Sequence, residues 1–357
     1  MSVERLPDEL LDHILSYLPS DPPSPAGLYR SPRLNIASSD SKDLKNASLV
    51  SRRLRELVLP SLFSHACLGL ESEDEFLSFI SRSGLARYVK SIVVTQGGAP
   101  NKQSNLFWWR RILRYLDPLR LTVVAATSFM GKMLGVEGAN LDSWAFEIPF
   151  QIMHLEQTSR QRSPDQLSEL EEQPSLLSSR PWTSLLFNEG SSLKAYNHYE
   201  YFHFQVPSLF NRWGLLSFGQ PNVPWVAIRS SLDRLTSFHY VAVFPFYNHV
   251  SRVMSAVGMM NNLQSVSVQL APSRSDNIEI EQKGSMNPSD PWMELETGYS
   301  IIAFTIANLG NRRCLGEFAA RDYDGLRTEL ADVAGGPLGG AGWGHDGHGT
   351  WTRTVDM

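Results

Sequence analysis

Short apolar stripes of helical period open the chain. Leu10, Leu11, Ile14, Leu15 and Leu18 recur at the spacing that lays them along one side of a helix. Pro7 stands where a first helical residue belongs, since its missing N–H is unneeded there. Asp8 and Glu9 follow, placing negative charge at the positive end of the helix dipole. Pro19 stops the pattern. Beyond a spacer, Leu44, Leu49 and Val50 mark a second short helix, and Leu54, Leu57 and Val58 a third, with Ser51 positioned to cap it. Units this small bury little apolar surface. The first helix carries more large apolar residues than two short neighbours can cover. The pattern therefore predicts an unfinished core, completed by a docked helical protein or by the rest of the chain.

The periodicity then changes. Residues 65–70 read as a short strand. Residues 71–81 read as a helix start with Phe76, Leu77 and Ile80 on one side, broken by Gly84. Residues 89–95 read as a buried strand, 105–116 as an amphipathic helix and 119–125 as another strand. Strand–helix–strand alternation predicts an α/β arrangement with parallel strands. Further on, Leu193, Leu235, Leu263 and Leu315 each open a similar apolar phrase expected to be a strand. Leu235 to Leu263 is 28 residues and Leu263 to Leu315 is 52, near two such periods. Units of this length with one strand each suggest degenerate leucine-rich-repeat-like stacking, in which each unit buries its face only against its neighbours. An irregular α/β domain without repeat symmetry is the alternative.

Composition narrows the picture. The chain has 357 residues, of which 42% are hydrophobic, and a net charge of −5. That fits a globular protein with no general affinity for nucleic acid. Two cysteines, Cys67 and Cys314, cannot build a disulfide framework and suit a reducing compartment. The acidic, amphipathic N-terminus is unlike a signal peptide, and no apolar run reaches the length of a membrane span. The expected location is cytoplasmic or nuclear, with no membrane partner. The expected organisation is a helical module over 1–64 with a flexible Pro/Ser-rich insertion at 19–40, an α/β domain over 65–335 with a polar excursion at 157–181, and a glycine-rich tail over 336–357.

The ordered residues of the helical module carry a resemblance. LPDELLDHILSYL, then DLKNASLVSRRLRELVLPSLF, resembles the F-box, the segment that binds the Skp adaptor of cullin–RING ubiquitin ligases. The chain departs from the family at Leu54, where a Trp is frequent, and in its 19–40 insertion, where a few residues are usual. A lengthened surface loop costs little entropy. The phrases LDSWAFEIPFQIMHL and RPWTSLLFNEGSSLKAYNHYEYF are similar to regions of filamentous-fungal F-box proteins. The resemblance implies that Leu6, Pro7, Glu9, Leu10, Ile14, Leu15 and Leu18, joined by Leu49, Val50 and Leu54, face the Skp adaptor. Through it the chain would join a cullin and present a protein target. The bland alternative for 1–64 is a helical cap on the larger domain.

Enzyme signals are weak. Gly342, Gly344 and Gly347 form a G-x-G-x-x-G, but the ten residues after Gly347 leave no room for the helix and strand of a dinucleotide site. The plainer expectation is a glycine-rich tail that Trp343 and Trp351 pin to the last repeat. His198 and Glu200 would share one strand face with His203 on the other, and His345 and His348 lie in the tail. Neither group supplies the three or four convergent ligands a metal needs. Arg110, Arg111 and Arg114 read as the solvated edge of a helix. Of the adjacent Trp108 and Trp109, one is expected in the core and the other free to act as a binding anchor. The expectation is a non-enzymatic substrate receptor without cofactor or metal. An F-box scaffold outside a ligase and an enzyme with an unrecognised site are the alternatives.

Overall fold

The structure, a computed structural model, describes residues 5–18, 25–36, 42–97, 105–136, 145–160, 170–197, 206–214, 223–272, 287–310 and 314–353. The chain is a mixed α/β protein that forms two compact units. The first holds Met1–Gly27, Arg33–Val124 and Ser159–Glu171; the second holds Leu28–Pro32, Ala125–Thr158 and Glu172–Met357.

In the first unit, three helices precede a parallel sheet. They are α1 (Asp8–Leu15), α2 (Lys42–Val50) and α3 (Arg52–Leu62). Ser51 caps α3, its side chain accepting from Leu54 N at 3.2 Å. Strands β1 (His65–Gly69), β2 (Ser91–Thr95) and β3 (Arg120–Ala126) follow, linked by α4 (Glu73–Ser83) and α5 (Trp108–Tyr115). All three strands are parallel and in register, His65 opposite Ser91 and Ser91 opposite Arg120. Their apolar residues are buried because α4 and α5 supply the crossovers that parallel pairing requires. Gly84 ends α4 at φ 66°, the left-handed conformation that closes a helix.

Trp108 and Trp109 are both fully buried, against the expectation that one is free. Residues flanking the second indole cover it. Phe107 lies edge-on at 6.4 Å, and the Arg110 guanidinium sits 5.2 Å over the ring.

In the second unit, β4 (Phe150–Glu156) pairs antiparallel with β5 (Ser184–Ser191). Strands β6 (Ser237–Val243), β7 (Ser265–Gln269) and β8 (Glu317–Ala320) then continue parallel from β5. The connecting helices are α7 (Leu209–Trp213), α8 (Val223–Asp233), α9 (Tyr247–Val257) and α10 (Asp290–Gly310); α6 (Thr127–Met133) precedes β4. The Phe210 ring fills the space beneath the strands. It meets Phe187, Trp213, Phe238 and Tyr240 edge-on at 5.3, 5.5, 6.1 and 5.7 Å, the preferred geometry for aromatic pairs.

The heads of the parallel strands repeat one backbone arrangement. Thr183 O accepts from Thr236 N and Ser237 N, Thr236 O from Gln264 N and Ser265 N, and Gln264 O from Gly316 N and Glu317 N. Ser64 O and Lys90 O make the same forked bonds in the first unit. Leu235, Leu263 and Leu315, two residues ahead of β6, β7 and β8, are buried alike.

Three expectations change, and the tail gains detail. The strand expected at Leu193 is a 3-10 turn, Leu193–Asn197, and the strand lies ahead of it as β5. Over residues 336–353 the glycine-rich tail is a helix end and a hairpin, held by its tryptophans as expected. Helix α11 (Arg327–Gly340) leads to a hairpin of β9 (Trp343–His345) and β10 (Thr350–Arg353), and β10 pairs antiparallel with β8. Trp351 stacks on Phe318 at 5.5 Å, and Trp343 is buried. The 19–40 insertion is not a free loop over its described part. Asn188 Nδ2 donates to Leu28 O and Arg30 O at 2.7 and 2.8 Å, and Leu28 and Pro32 are buried. Within the polar excursion, Leu176 and Leu177 are buried in a 3-10 turn capped by Ser175; residues 161–169 lie outside the described ones.

Candidate protein-docking face

The three helices divide their apolar residues between two jobs. Leu11, Leu44 and Val58, one from each helix, are buried at 1, 3 and 1% exposure and form the core of the module. None of them belongs to the set expected to face an adaptor. Within that set, Leu10, Ile14, Leu49 and Val50 are 50, 49, 83 and 66% exposed. Pro7 and Glu9 are exposed too, and Leu6, Leu15, Leu18 and Leu54 are half-buried. Burying a large aliphatic side chain is worth roughly 1.5–3 kcal/mol, and this gain is left unused at four positions.

Helix geometry explains the split. Pro7 O accepts from Leu10 N and Leu11 N and starts α1 one residue after Pro7. The adjacent Leu10 and Leu11 then point a third of a turn apart, one outward and one inward. Arg53 fixes this orientation from α3, donating from Nε to Asp8 Oδ1 at 2.7 Å and from Nη2 to Leu6 O at 2.6 Å. Tyr17 is 76% exposed beside His13, with ring centroids 5.2 Å apart. The sequence reading omitted it, although it lies three residues beyond Ile14 on the same helical spacing. Five of the thirteen exposed large apolar residues among the described ones fall within the first fifty positions. Single exposed apolar residues need no explanation; five of them on α1, in the turn after it and at the end of α2 make these helices the candidate docking face.

The features that tempt a catalytic reading have structural roles. Gly342, at φ 79°, turns the chain into β9, and Gly347, at φ 82°, lies in the turn that joins β9 to β10. His345 stacks on Trp351 at 4.3 Å, and its Nε2 accepts from Gly349 N at 3.2 Å. Asp346 Oδ1 accepts from His348 N and Thr350 N, and these bonds hold its carboxyl below the usual range. His198 and His203 lie outside the described residues. Arg111 pairs with Asp74 at 2.6 Å and Glu73 at 3.2 Å, and Arg114 pairs with Glu171. Among the described residues, no group of three His, Cys, Asp or Glu side chains could hold a metal ion, and Cys67 and Cys314 are free thiols.

The densest polar cluster is sealed inside the second unit. Glu189 Oε2 accepts from Tyr240 OH at 2.6 Å and His249 Nε2 at 2.7 Å, while Oε1 accepts from Ser208. Burial raises the carboxyl pKa. The charge and hydrogen bond of His249, with the Ser208 and Tyr240 bonds, outweigh it and hold the group below its ordinary value. Burial and the neighbouring carboxylate push the Tyr240 phenol well up. Glu189, Ser208 and His249 are 1, 0 and 3% exposed, so the cluster has no surface to offer a substrate. None of these residues stood out in sequence, because their partners are up to 60 positions away.

No helix among the described residues is long and apolar enough to cross a membrane. The chain matches no known protein family, curated protein or solved structure.

Proposed function

We propose that the chain is a substrate receptor of a Skp–cullin–F-box ubiquitin ligase, working in the cytoplasm or nucleus. The N-terminal helices dock on the Skp adaptor, and the second unit presents a protein target. The observation that carries the reading is the exposure of Leu10, Ile14, Leu49 and Val50 on a module whose core is closed by Leu11, Leu44 and Val58. These four sit at positions that the F-box resemblance assigns to the adaptor. Such a receptor makes and breaks no bonds. It raises the effective concentration of target lysines near the charged ubiquitin carrier. The forked bonds repeated at the strand heads favour reading the α/β part as a degenerate leucine-rich-repeat-like stack.

Co-purification of the Skp adaptor with the full-length chain tests this. The Leu10→Ala/Ile14→Ala and Leu49→Ala/Val50→Ala variants should keep the circular dichroism of the parent and lose the adaptor. A folded parent that does not retain the adaptor overturns the reading. If the adaptor binds but no cullin accompanies it, the chain is a scaffold outside a ligase.

A further inference from the structure

A cleft of about 430 Å³ opens at the carboxyl ends of β7 and β8 in the second unit. Gln269 closes β7 and Arg321 directly follows β8, and both line it. Ligands of parallel sheets collect at this end, where the loops leaving the strands converge.

Arg321 is the unusual group. Its guanidinium carbon lies 3.6 Å from the centre of the Tyr29 ring. Among the described residues no acceptor takes a hydrogen bond from this guanidinium and no carboxylate lies in salt-bridge contact with it, although its charge acts on the neighbouring Asp322. Its planar fork of donors is therefore oriented by stacking but unconsumed. Tyr29 is held in turn. Gln269 Nε2 donates to Tyr29 O at 3.3 Å, and Asn188 holds the carbonyls of Leu28 and Arg30 on either side.

An apolar wall faces the same space. Trp292 lines the cleft and is 42% exposed. Phe244 braces it edge-on at 4.9 Å from a backbone at φ 52°, a conformation rare for a bulky residue. That strained position is pinned from both sides. Phe244 N donates to Leu270 O at 2.8 Å, and Tyr196 OH donates to Phe244 O at 3.3 Å. Strain held this firmly marks functional places.

The acids of the cleft select among anions. Asp322 Oδ2 accepts from Tyr299 OH, Leu270 N and Ala271 N at 2.5, 2.5 and 3.1 Å, so it braces the loop after β7. Asp324 also lines the cleft. Two neighbouring carboxylates repel a doubly charged phosphate more strongly than a singly charged carboxylate.

We propose that this cleft binds a carboxylate carried by a peptide with an apolar side chain next to it. The carboxylate sits on the Arg321 fork and the apolar group against Trp292. That the peptide belongs to a target protein rests on the receptor reading above; the chemistry of the cleft does not.

The test uses the full-length chain without adaptor, so failure of adaptor docking leaves it unaffected. One set of random-sequence peptides is made with free C-terminal carboxylates, a second with C-terminal amides, and a third with phosphoserine. The expected binders carry a carboxylate beside an apolar residue. Hits confined to the free-acid set assign the chain terminus; hits in both of the first two sets that share Asp or Glu assign a side chain. Arg321→Gln should weaken them by about tenfold or more. Arg321→Lys should recover little, because an ammonium lacks the fork, and Trp292→Ala should weaken the same peptides. The proposal is overturned by no binder in any set, by a preference for phosphoserine, or by undiminished binding to Arg321→Gln at an unchanged thermal midpoint.

Discussion

Glu189 and His249 form a 2.7 Å hydrogen bond with side chains only 1 and 2% exposed. Because the acceptor is a carboxylate, His249 Nε2 must be the donor. This pair joins β5 to α9, and Tyr240 brings β6 to the same carboxylate. Replacing Glu189 by Gln removes the buried carboxylate to which His249, Tyr240 and Ser208 all donate and leaves buried donors without an acceptor, which costs roughly 1–3 kcal/mol for each donor left unpaired. The folded pKa of Glu189 is depressed. Its contribution is therefore complete above the ordinary unfolded value of about 4.3 and is lost as pH falls through the lower folded value. Denaturant unfolding of parent and Glu189→Gln should show a wide stability gap near neutral pH that narrows in strong acid. A gap of constant width would mean that the carboxylate charge contributes nothing.

Asp322 runs the other way. Burial lifts its carboxyl to about 6, although Tyr299, the amides of Leu270 and Ala271, and Arg321 pull it down. The folded chain holds this proton more tightly than the unfolded chain. Stability from Asp322 is thus greatest below about pH 4 and falls as pH rises through about 6, by roughly 3 kcal/mol in full. Asp322→Asn should flatten that slope, and Tyr299→Phe should move it to higher pH. Midpoints measured across this window decide the matter; parallel profiles for parent and Asp322→Asn would refute it.

These two carboxylates show what the sequence could and could not tell. Strands β2, β3, β6, β7 and β8 were legible because local runs of apolar residues announce them. Strand β5 was not, because Asn188 and Glu189 look like loop residues until their partners, Leu28, Arg30 and His249, are known. The tail misled through its glycines. Gly335, Gly336, Gly339 and Gly340 lie within α11 against their propensity, while Leu330, Ala334 and Leu338 are buried along the helix. Tertiary burial overrides the local preference there. The apolar residues of α1 were legible as a stripe, but only the start of α1 decides that Leu10 points out and Leu11 in.

That division gives a sharp comparison between neighbours. Leu11→Ala removes a core side chain and should cost about 2–5 kcal/mol, enough to loosen the three helices. Leu10→Ala, half exposed, should cost under about 1 kcal/mol. Amide hydrogen exchange in α1 to α3 distinguishes them: faster exchange for Leu11→Ala, near-parent exchange for Leu10→Ala. Equal acceleration by both would show that Leu10 belongs to the core.

Asn188 ties the 28–32 segment to β5, and its removal should release that segment without unfolding the unit. Its side chain gives both amide hydrogens to Leu28 O and Arg30 O and accepts from Gly190 N at 2.8 Å. Asn188→Ala leaves the buried Leu28 carbonyl and the part-buried Arg30 carbonyl without donors, at about 1–3 kcal/mol. The penalty is escaped by local opening, because the segment contributes few apolar side chains of its own besides Leu28 and Pro32. Trypsin then reports the opening directly. Arg30 and Arg33 are exposed side chains on backbone that must leave its bonded path to enter a protease. Cleavage there should accelerate by about tenfold or more in Asn188→Ala, while circular dichroism stays that of the parent. Asn188→Asp should behave at least as severely, since a carboxylate oxygen then faces the two carbonyls. Loss of the segment also removes Tyr29 from beneath Arg321, so the guanidinium loses the ring that orients it. An unchanged cleavage rate in Asn188→Ala would show that contacts other than these hydrogen bonds hold the segment in place.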